Sequence, residues 1–358
     1  MSRTNVTQYD VIDFMRFPLI VLVTYAHSYS SVPVDFSLAD GTWDMYGLAR
    51  VFVGQILAKV PMPAFFAISG YLFFHNMEQW NWSTYIEKIK RRVNSLLVPY
   101  LLWNLLAAVQ FTVRAWRMGR NLDDVGLNIF WVFHHSVGRQ TDWIGHINTL
   151  TAPCNMPLWF LRDLIIVTLI APAIYYILHR FGKWVLFLLC ILYLSGIYAF
   201  TPGLSAYSIF FFSAGAFLSI HQLDPKALFM QVEYPVYAIS ILLVISMLFT
   251  IGTPIYSSVM LAFRITGAIS AFCISYRLLL HGMHIPQLLT QSSFFIYLIH
   301  YIVFLSLIDT AFFALFGQST CSLTLHYLLC PLLKIGIFVA IYAAYQKLKI
   351  IKGRLLQQ

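Results

Sequence analysis

Residues 11–30 read VIDFMRFPLIVLVTYAHSYS, an apolar run long enough to cross a bilayer that nevertheless holds Asp13, Arg16 and His27. Ionised groups in hydrocarbon cost roughly 2.5–3.5 kcal/mol each on insertion scales, so a membrane helix that keeps them points to function. The spacing sharpens this reading. At about 100° per residue, the positions of Arg16 and His27 fall about 20° apart in azimuth, with about 16 Å of rise between them. Two groups so placed face one cavity without touching. That geometry suits a grip on the two ends of a long, partly anionic ligand. Asp13 stands one turn before Arg16, within ion-pair reach on a helix surface.

The rest of the chain carries the same signal. Of its 358 residues 59% are apolar and 10% charged, and apolar runs beyond the length of a spanning helix recur along it. The expected fold is an all-α polytopic membrane protein forming a single integral-membrane domain over 1–358. The first span ends in Tyr29-Ser-Ser-Val-Pro33 rather than a small-residue cleavage site, so it reads as a retained helix. Five cysteines (Cys154, Cys190, Cys273, Cys321 and Cys330) are scattered without a CxxC pair, which favours packing over disulfides or a metal site. The net charge of +9 resides largely in loops where topology demands it, so a nucleic-acid partner is not expected.

Hydropathy and breakers predict about ten spans, near 11–31, 48–75, 95–114, 157–178, 184–201, 203–220, 234–252, 257–280, 292–316 and 323–346. Pro61 and Pro63 interrupt the second, predicting a kink with freed carbonyls. Placing both termini in the cytoplasm puts Lys88, Lys90, Arg91, Arg92, Arg180, Lys183, Lys226, Arg277 and the tail residues Lys347, Lys349, Lys352 and Arg354 on that side. The short loops at 31–46, 201–203, 252–256 and 317–321 hold neither Lys nor Arg and are assigned outside. The segment 115–156 runs against the trend, with Arg117, Arg120 and Arg139 on the outer side.

That outer segment is the one sizeable extramembrane piece expected, and it contains Trp131, His134, His135, Trp143 and His146. Residues 129–133 have the composition of a short interfacial helix, either a belt anchor or a rim that meets an acceptor. Adjacent histidines point apart on a helix, so His134 and His135 make a poor metal pair. No internal repeat is visible, which weighs against transporter folds built from inverted halves.

Neutral imidazole is well suited to removing a proton from a hydroxyl near pH 7, and His27 falls toward the outer end of its helix. The bland alternative is an Arg16–Asp13 pair that steadies the bundle, with His27 hydrogen-bonded inside it. Lys59, Arg162, Arg264 and Lys334 also fall within spans, against Asp163 and Asp309. A cationic excess in hydrocarbon calls for an anion, such as a phosphate-bearing ligand entering from the cytoplasm. The cluster Lys88-Ile-Lys90-Arg91-Arg92 would stand at that inner mouth.

The stretch DFMR at 13–16 followed by His27 resembles the Arg-x10-His motif of the acyltransferase 3 family of membrane acyltransferases. The resemblance extends in order through MPAFFAISGY at 62–71, KRRVNSLLVPY at 90–100, PLWFLR at 157–162 and SFFIYLIH at 293–300. It implies transfer of an acyl group, commonly acetyl from acetyl-CoA, to a hydroxyl of a glycan or similar acceptor at the outer face of a cell membrane, a bacterial inner membrane. By the same resemblance His27 is the catalytic histidine, Arg16 its motif partner with Asp13 beside it, and Lys90, Arg91 and Arg92 belong to the donor-binding loop. Acyl-CoA is then a co-substrate rather than a bound cofactor, and membrane lipids are the remaining partners.

Trp159 and Arg162 could stack on and pair with the donor, or anchor a helix end. Ser69 before Gly70 more often marks close helix packing than a nucleophile, and it lacks a Gly-x-Ser-x-Gly context. Tyr297 and His300 share a helix face and, with Ser69, are candidates to line the cavity. A transporter or flippase for an anionic or lipid-linked substrate would also need buried cations, but it could tolerate loss of His27. A lipid-linked glycosyltransferase would use acids such as Asp35, Asp40 and Asp44 in an outer loop, where no diagnostic pairing is present.

Overall fold

Helix α1, Gln8–Ala26, begins at a capping box in which Thr7 accepts from the Asp10 N–H and the Asp10 carboxylate accepts from the Thr7 N–H. It ends where His27 leaves helical geometry, so both ends of the first apolar run are defined by local chemistry. The computed structural model describes residues 6–28, 34, 36–77, 79–119, 126–141, 147–196, 199–301 and 306–355. Trp143, His146, Asp35 and Arg120 lie outside the described residues, as do the side chains of His135, Arg139, Lys352 and Arg354.

The second expected span is interrupted as the prolines require. Helix α2, Met45–Ala49, passes into a π-helical stretch, Arg50–Ile56, then a 3-10 turn, Leu57–Lys59, before α3, Pro61–Phe74. Pro61 has no N–H for the Leu57 carbonyl, and the Val60 N–H takes that acceptor at 3.1 Å instead. The third span is longer than hydropathy suggests. Helix α4, Trp82–Arg92, joins α5, Val98–Arg117, through a second π-helical stretch at Val93–Leu97. Its charged residues kept α4 out of the hydropathy count, yet Asn81 caps it and the helix runs on.

A 3-10 turn, Leu127–Phe130, stands where a short interfacial helix was expected, followed by the hairpin β1, His134–Thr141, and β2, Ile147–Ala152. The fourth span is bent by 63° between α6, Trp159–Leu169, and α7, Ala171–Phe181, near Pro172. Helix α8, Lys183–Leu194, is shorter than its expected span. It gives way to a small hairpin of β3, Ala199–Thr201, and β4, Leu204–Ser205, turning at Gly203 with φ +93°. There follow α9, Ala206–Ile220, and α10, Pro225–Gln231, at 114° to it, then α11, Glu233–Thr250, and α12, Pro254–Leu280. The ninth expected span divides into α13, Gln287–Ile299, and α14, Ser306–Phe316. The chain closes with α15, Thr320–Leu355, with Pro331 inside it.

Among the described residues five helices are long and apolar enough to cross a membrane, or seven if each bent pair is one span. Helix α1 is not among them, because Asp10, Asp13 and Arg16 share its 19 residues. The architecture is therefore that of an all-helical membrane protein carrying two small hairpins.

The chain divides into two compact units, Met1–Pro61 with Val244–Ile251 and Ser270–Gln358, and Met62–Leu243 with Gly252–Ile269. In the first, α1, α13 and α15 pack against one another, and α2 packs on α15. Tyr25 Oη donates to the Leu328 carbonyl at 2.6 Å, and Tyr327 Oη donates back to the Tyr25 carbonyl at 3.3 Å. Tyr327 fits because residue 54 is glycine: a Cβ there would lie 2.5 Å from its hydroxyl. In the second unit α9 is central, touching α6, α7 and α8. It meets α3 at very short range. A Cβ on Gly70 would lie 2.0 Å from the Phe212 carbonyl oxygen, and one on Gly215 would lie 1.8 Å from that of Ala67. The Ser-Gly step of α3 is thus a close helix crossing, the small-residue logic of membrane interfaces.

Candidate active site

His27 is fixed from both sides of its position in the chain. Its backbone N–H closes the last turn of α1 on the Thr24 and Tyr25 carbonyls, and Tyr25 is tied to α15 as described. The imidazole Nδ1 lies 2.9 Å from the Val23 carbonyl oxygen. From α13, His300 brings its Nε2 to 3.3 Å from the same Nδ1, with ring centroids 5.0 Å apart. His300 Nδ1 in turn lies 2.7 Å from the Tyr297 carbonyl. The Tyr301 ring meets His27 edge-on at 5.8 Å, and the 3-10 turn that ends in Lys59 packs against α1.

Arg16 sits on an exposed face of α1 and pairs with Asp13 at 2.9 Å, the contact that their spacing predicts. The helix is continuous between Arg16 and the end of α1, so the expected rise of about 16 Å to His27 applies. The structure therefore brings together His27, His300, Tyr297 and Tyr301, with Arg16 and Asp13 further down α1.

In the second unit the basic cluster divides by direction. Lys88 Nζ donates to the carbonyls of Phe73 and His75 at 2.5 and 3.1 Å, a cation on the C-terminal end of α3. Arg92 reaches the Ser69 carbonyl at 3.4 Å, with its guanidinium over the Phe73 ring at 4.9 Å. Lys90 and Arg91 face outward, and Arg91 pairs with Glu87.

Arg162 departs from the donor-binding expectation. It is 5% exposed, and its guanidinium donates to Asp163 at 3.0 Å, to the Trp131 carbonyl at 2.7 Å and to the Thr151 carbonyl at 3.1 Å. A fork so occupied ties α6 to the segment carrying β2. Trp159 beside it packs in an aromatic group with Phe66, Phe160 and Tyr207, and Arg264 lies over Tyr207 at 5.1 Å.

Asp309 has a similar role to Asp163. Its carboxylate accepts from Lys334 at 2.7 Å and His326 at 2.9 Å, joining α14 to α15. With Cys330 these groups form a cluster in which a metal could be held. Lys334 already supplies the positive charge that the carboxylate needs. Two of the four cations read as calling for an anionic ligand, Arg162 and Lys334, are thus compensated within the protein. The inference from cationic excess is weaker than the sequence suggests.

The sequence singles out His27 and His300 separately, one as a base and one as a cavity residue, and does not show that their rings meet. The signal available was a histidine ending each of two apolar helices.

The chain matches the acyltransferase domain of the acyltransferase 3 family over residues 9–345 and belongs to that family. Among characterised proteins it is similar to the succinoglycan biosynthesis protein ExoH of Rhizobium meliloti (strain 1021), 28% identical over 229 residues, which is 61% of this chain and 55% of that protein. The chain thus aligns with just over half the length of this relative. No solved structure matches it.

Proposed function

We propose that the protein is an integral-membrane O-acyltransferase that moves an acyl group, acetyl in the first instance, from acyl-CoA to a hydroxyl of a cell-surface polysaccharide. The observation that carries the reading is the Val23 carbonyl at 2.9 Å from His27 Nδ1. A carbonyl only accepts, so Nδ1 bears the proton and, in the neutral ring, Nε2 keeps its lone pair. That is the state a general base needs.

His27 Nε2 takes the proton of the acceptor hydroxyl as its oxygen attacks the thioester carbonyl. The tetrahedral adduct collapses, the C–S bond breaks, and the leaving thiolate receives the proton from His27. The products are an ester and free CoA thiol, with His27 restored and no covalent enzyme intermediate. Arg16 is the residue of α1 offered to the polar arm of the donor, and Lys90 and Arg91 are the exposed cations of α4 offered to phosphates. Arg92 lies with them in the last turn of helix α4, not in a loop as the resemblance implied, and reaches back to α3. The relative named for succinoglycan biosynthesis supports a polysaccharide acceptor, hydropathy along the sequence supports about ten spans, and the Lys/Arg distribution supports cytoplasmic termini.

The test is acyl transfer to purified surface glycan, measured beside acyl-CoA affinity and thermal stability. His27→Ala is expected to lose a factor on the order of 10²–10⁴ in rate with donor affinity retained. Arg16→Ala is expected to weaken donor binding, and Arg16→Lys to restore part of it, since a fork becomes a point charge. A well-folded His27→Ala that transfers near the wild-type rate refutes the assignment and favours a transporter.

A further inference from the structure

The His27 ring has a second partner whose role follows from hydrogen-bond bookkeeping. His300 Nδ1 faces the Tyr297 carbonyl at 2.7 Å and must donate to it, so in the neutral ring His300 Nε2 is an acceptor. That acceptor lies 3.3 Å from His27 Nδ1, which must be a donor because it faces the Val23 carbonyl. The two assignments are made independently, one on each helix, and they agree. The His27 N–H is shared between a carbonyl on its own helix and a lone pair on α13.

We infer that His300 is the positioning residue for His27: its Nε2 accepts the His27 Nδ1 proton, fixing the ring with Nε2 bare toward the acceptor hydroxyl. This rests on the reading of His27 as general base. The Val23 carbonyl alone fixes the tautomer, but it comes from the same helix and leaves the ring free to pivot about its side-chain torsions. A second acceptor from another helix removes that freedom. It also provides for the positive charge that His27 gains on taking the proton, because the Nδ1–H···N bond strengthens as the donor becomes cationic. Tyr301, edge-on to the same ring, limits it from another side. The contact lies within one packed unit, since α1 and α13 pack directly on each other. His300 itself touches no reacting atom in this scheme.

The test combines kinetics with a tautomer measurement on the full-length protein in lipid bilayers. His300→Ala is expected to lower kcat about 10- to 100-fold, the range seen when a partner orienting a functional histidine is removed, with KM for acyl-CoA unchanged. His300→Gln, whose side-chain oxygen can accept, is expected to retain more activity than His300→Ala. Adding His300→Ala to His27→Ala is expected to cost nothing further, because the one acts through the other. In wild-type protein carrying ¹⁵N-histidine, solid-state NMR should show both rings protonated at Nδ1 and a through-hydrogen-bond correlation between His27 Nδ1 and His300 Nε2. That spectrum decides the matter even if His300→Ala does not fold. Wild-type kcat in His300→Ala with His27→Ala inactive overturns this inference alone. So does a His27 ring protonated at Nε2, or costs that multiply in the double variant. Wild-type rates in both single variants overturn the general-base reading itself.

Discussion

Replacing Gly70 by alanine sets a methyl group 2.0 Å from the Phe212 carbonyl oxygen, where real Cβ contacts essentially never fall below 3.0 Å. The obstacle is backbone, so no rotamer change relieves it, and α3 and α9 must part by about 1 Å at the crossing. Gly215→Ala, at 1.8 Å from the Ala67 carbonyl, demands slightly more. Overpacking of this kind costs about 1–3 kcal/mol, sometimes more, which corresponds to a fall in Tm on the order of several degrees. The two glycines face each other across one crossing, so the separation that admits one methyl also admits the other. The double variant is therefore expected to be about as unstable as Gly215→Ala alone, not the sum of both. Gly336→Ala in α15 is the control: its Cβ meets nothing within 4 Å, and the change should be neutral or gain up to about 1 kcal/mol. The assay is the melting temperature of detergent-purified protein, followed by loss of monodispersity on heating. A Gly70→Ala protein as stable as wild type would refute the close crossing, and fully additive losses would refute the shared cause.

Gly54→Ala should destabilise the first unit through the Tyr327 hydroxyl, and Tyr327→Phe should rescue it in the same melting assay. Without that hydroxyl the nearest atoms, the Tyr25 carbonyl and the Tyr327 ring, lie 3.5 and 3.6 Å from the new methyl. Cys154, in the segment between β2 and α6, has its thiol pushed up to about 11 by burial, so at pH 8 it is almost wholly protonated. Maleimide labelling tracked by mass spectrometry should find it unreactive in the folded protein and reactive in denaturant, whereas the exposed Cys321 should label in both.

The sequence was most legible where one helix carries all the information. The capping box, the Asp13–Arg16 pair and the interrupted second span each depend on residues within a turn or two of one another. Close packing at Gly70 was legible because glycine in an apolar helix has few other uses. What was hidden depends on neighbours remote in the chain. Arg162 reads as a spare cation until the Trp131 and Thr151 carbonyls are seen to occupy it. Lys334 likewise reads as unpaired until Asp309, on the preceding helix, is brought against it. Helix α4 escaped because its amphipathic surface lowers mean hydropathy while leaving helix formation intact. The pairing of His27 with His300 joins positions near opposite ends of the chain, and no local pattern encodes it.

The π-helical stretches at Arg50–Ile56 and Val93–Leu97 carry a consequence for how this sequence tolerates change in length. An extra residue accommodated in a wide turn acts as a phase shift: everything after it faces about 100° away from where a regular helix would aim it. Deleting one residue at Arg50–Ile56 would let that stretch close into ordinary helical turns up to the 3-10 turn. It would also rotate the 3-10 turn that ends in Lys59 against α1 and carry Gly54 or its successors out of step with Tyr327. Likewise, a deletion in Val93–Leu97 would re-aim α5 relative to the outward cations of α4 while leaving composition and hydropathy almost untouched. At these two places the number of residues matters as much as their identity.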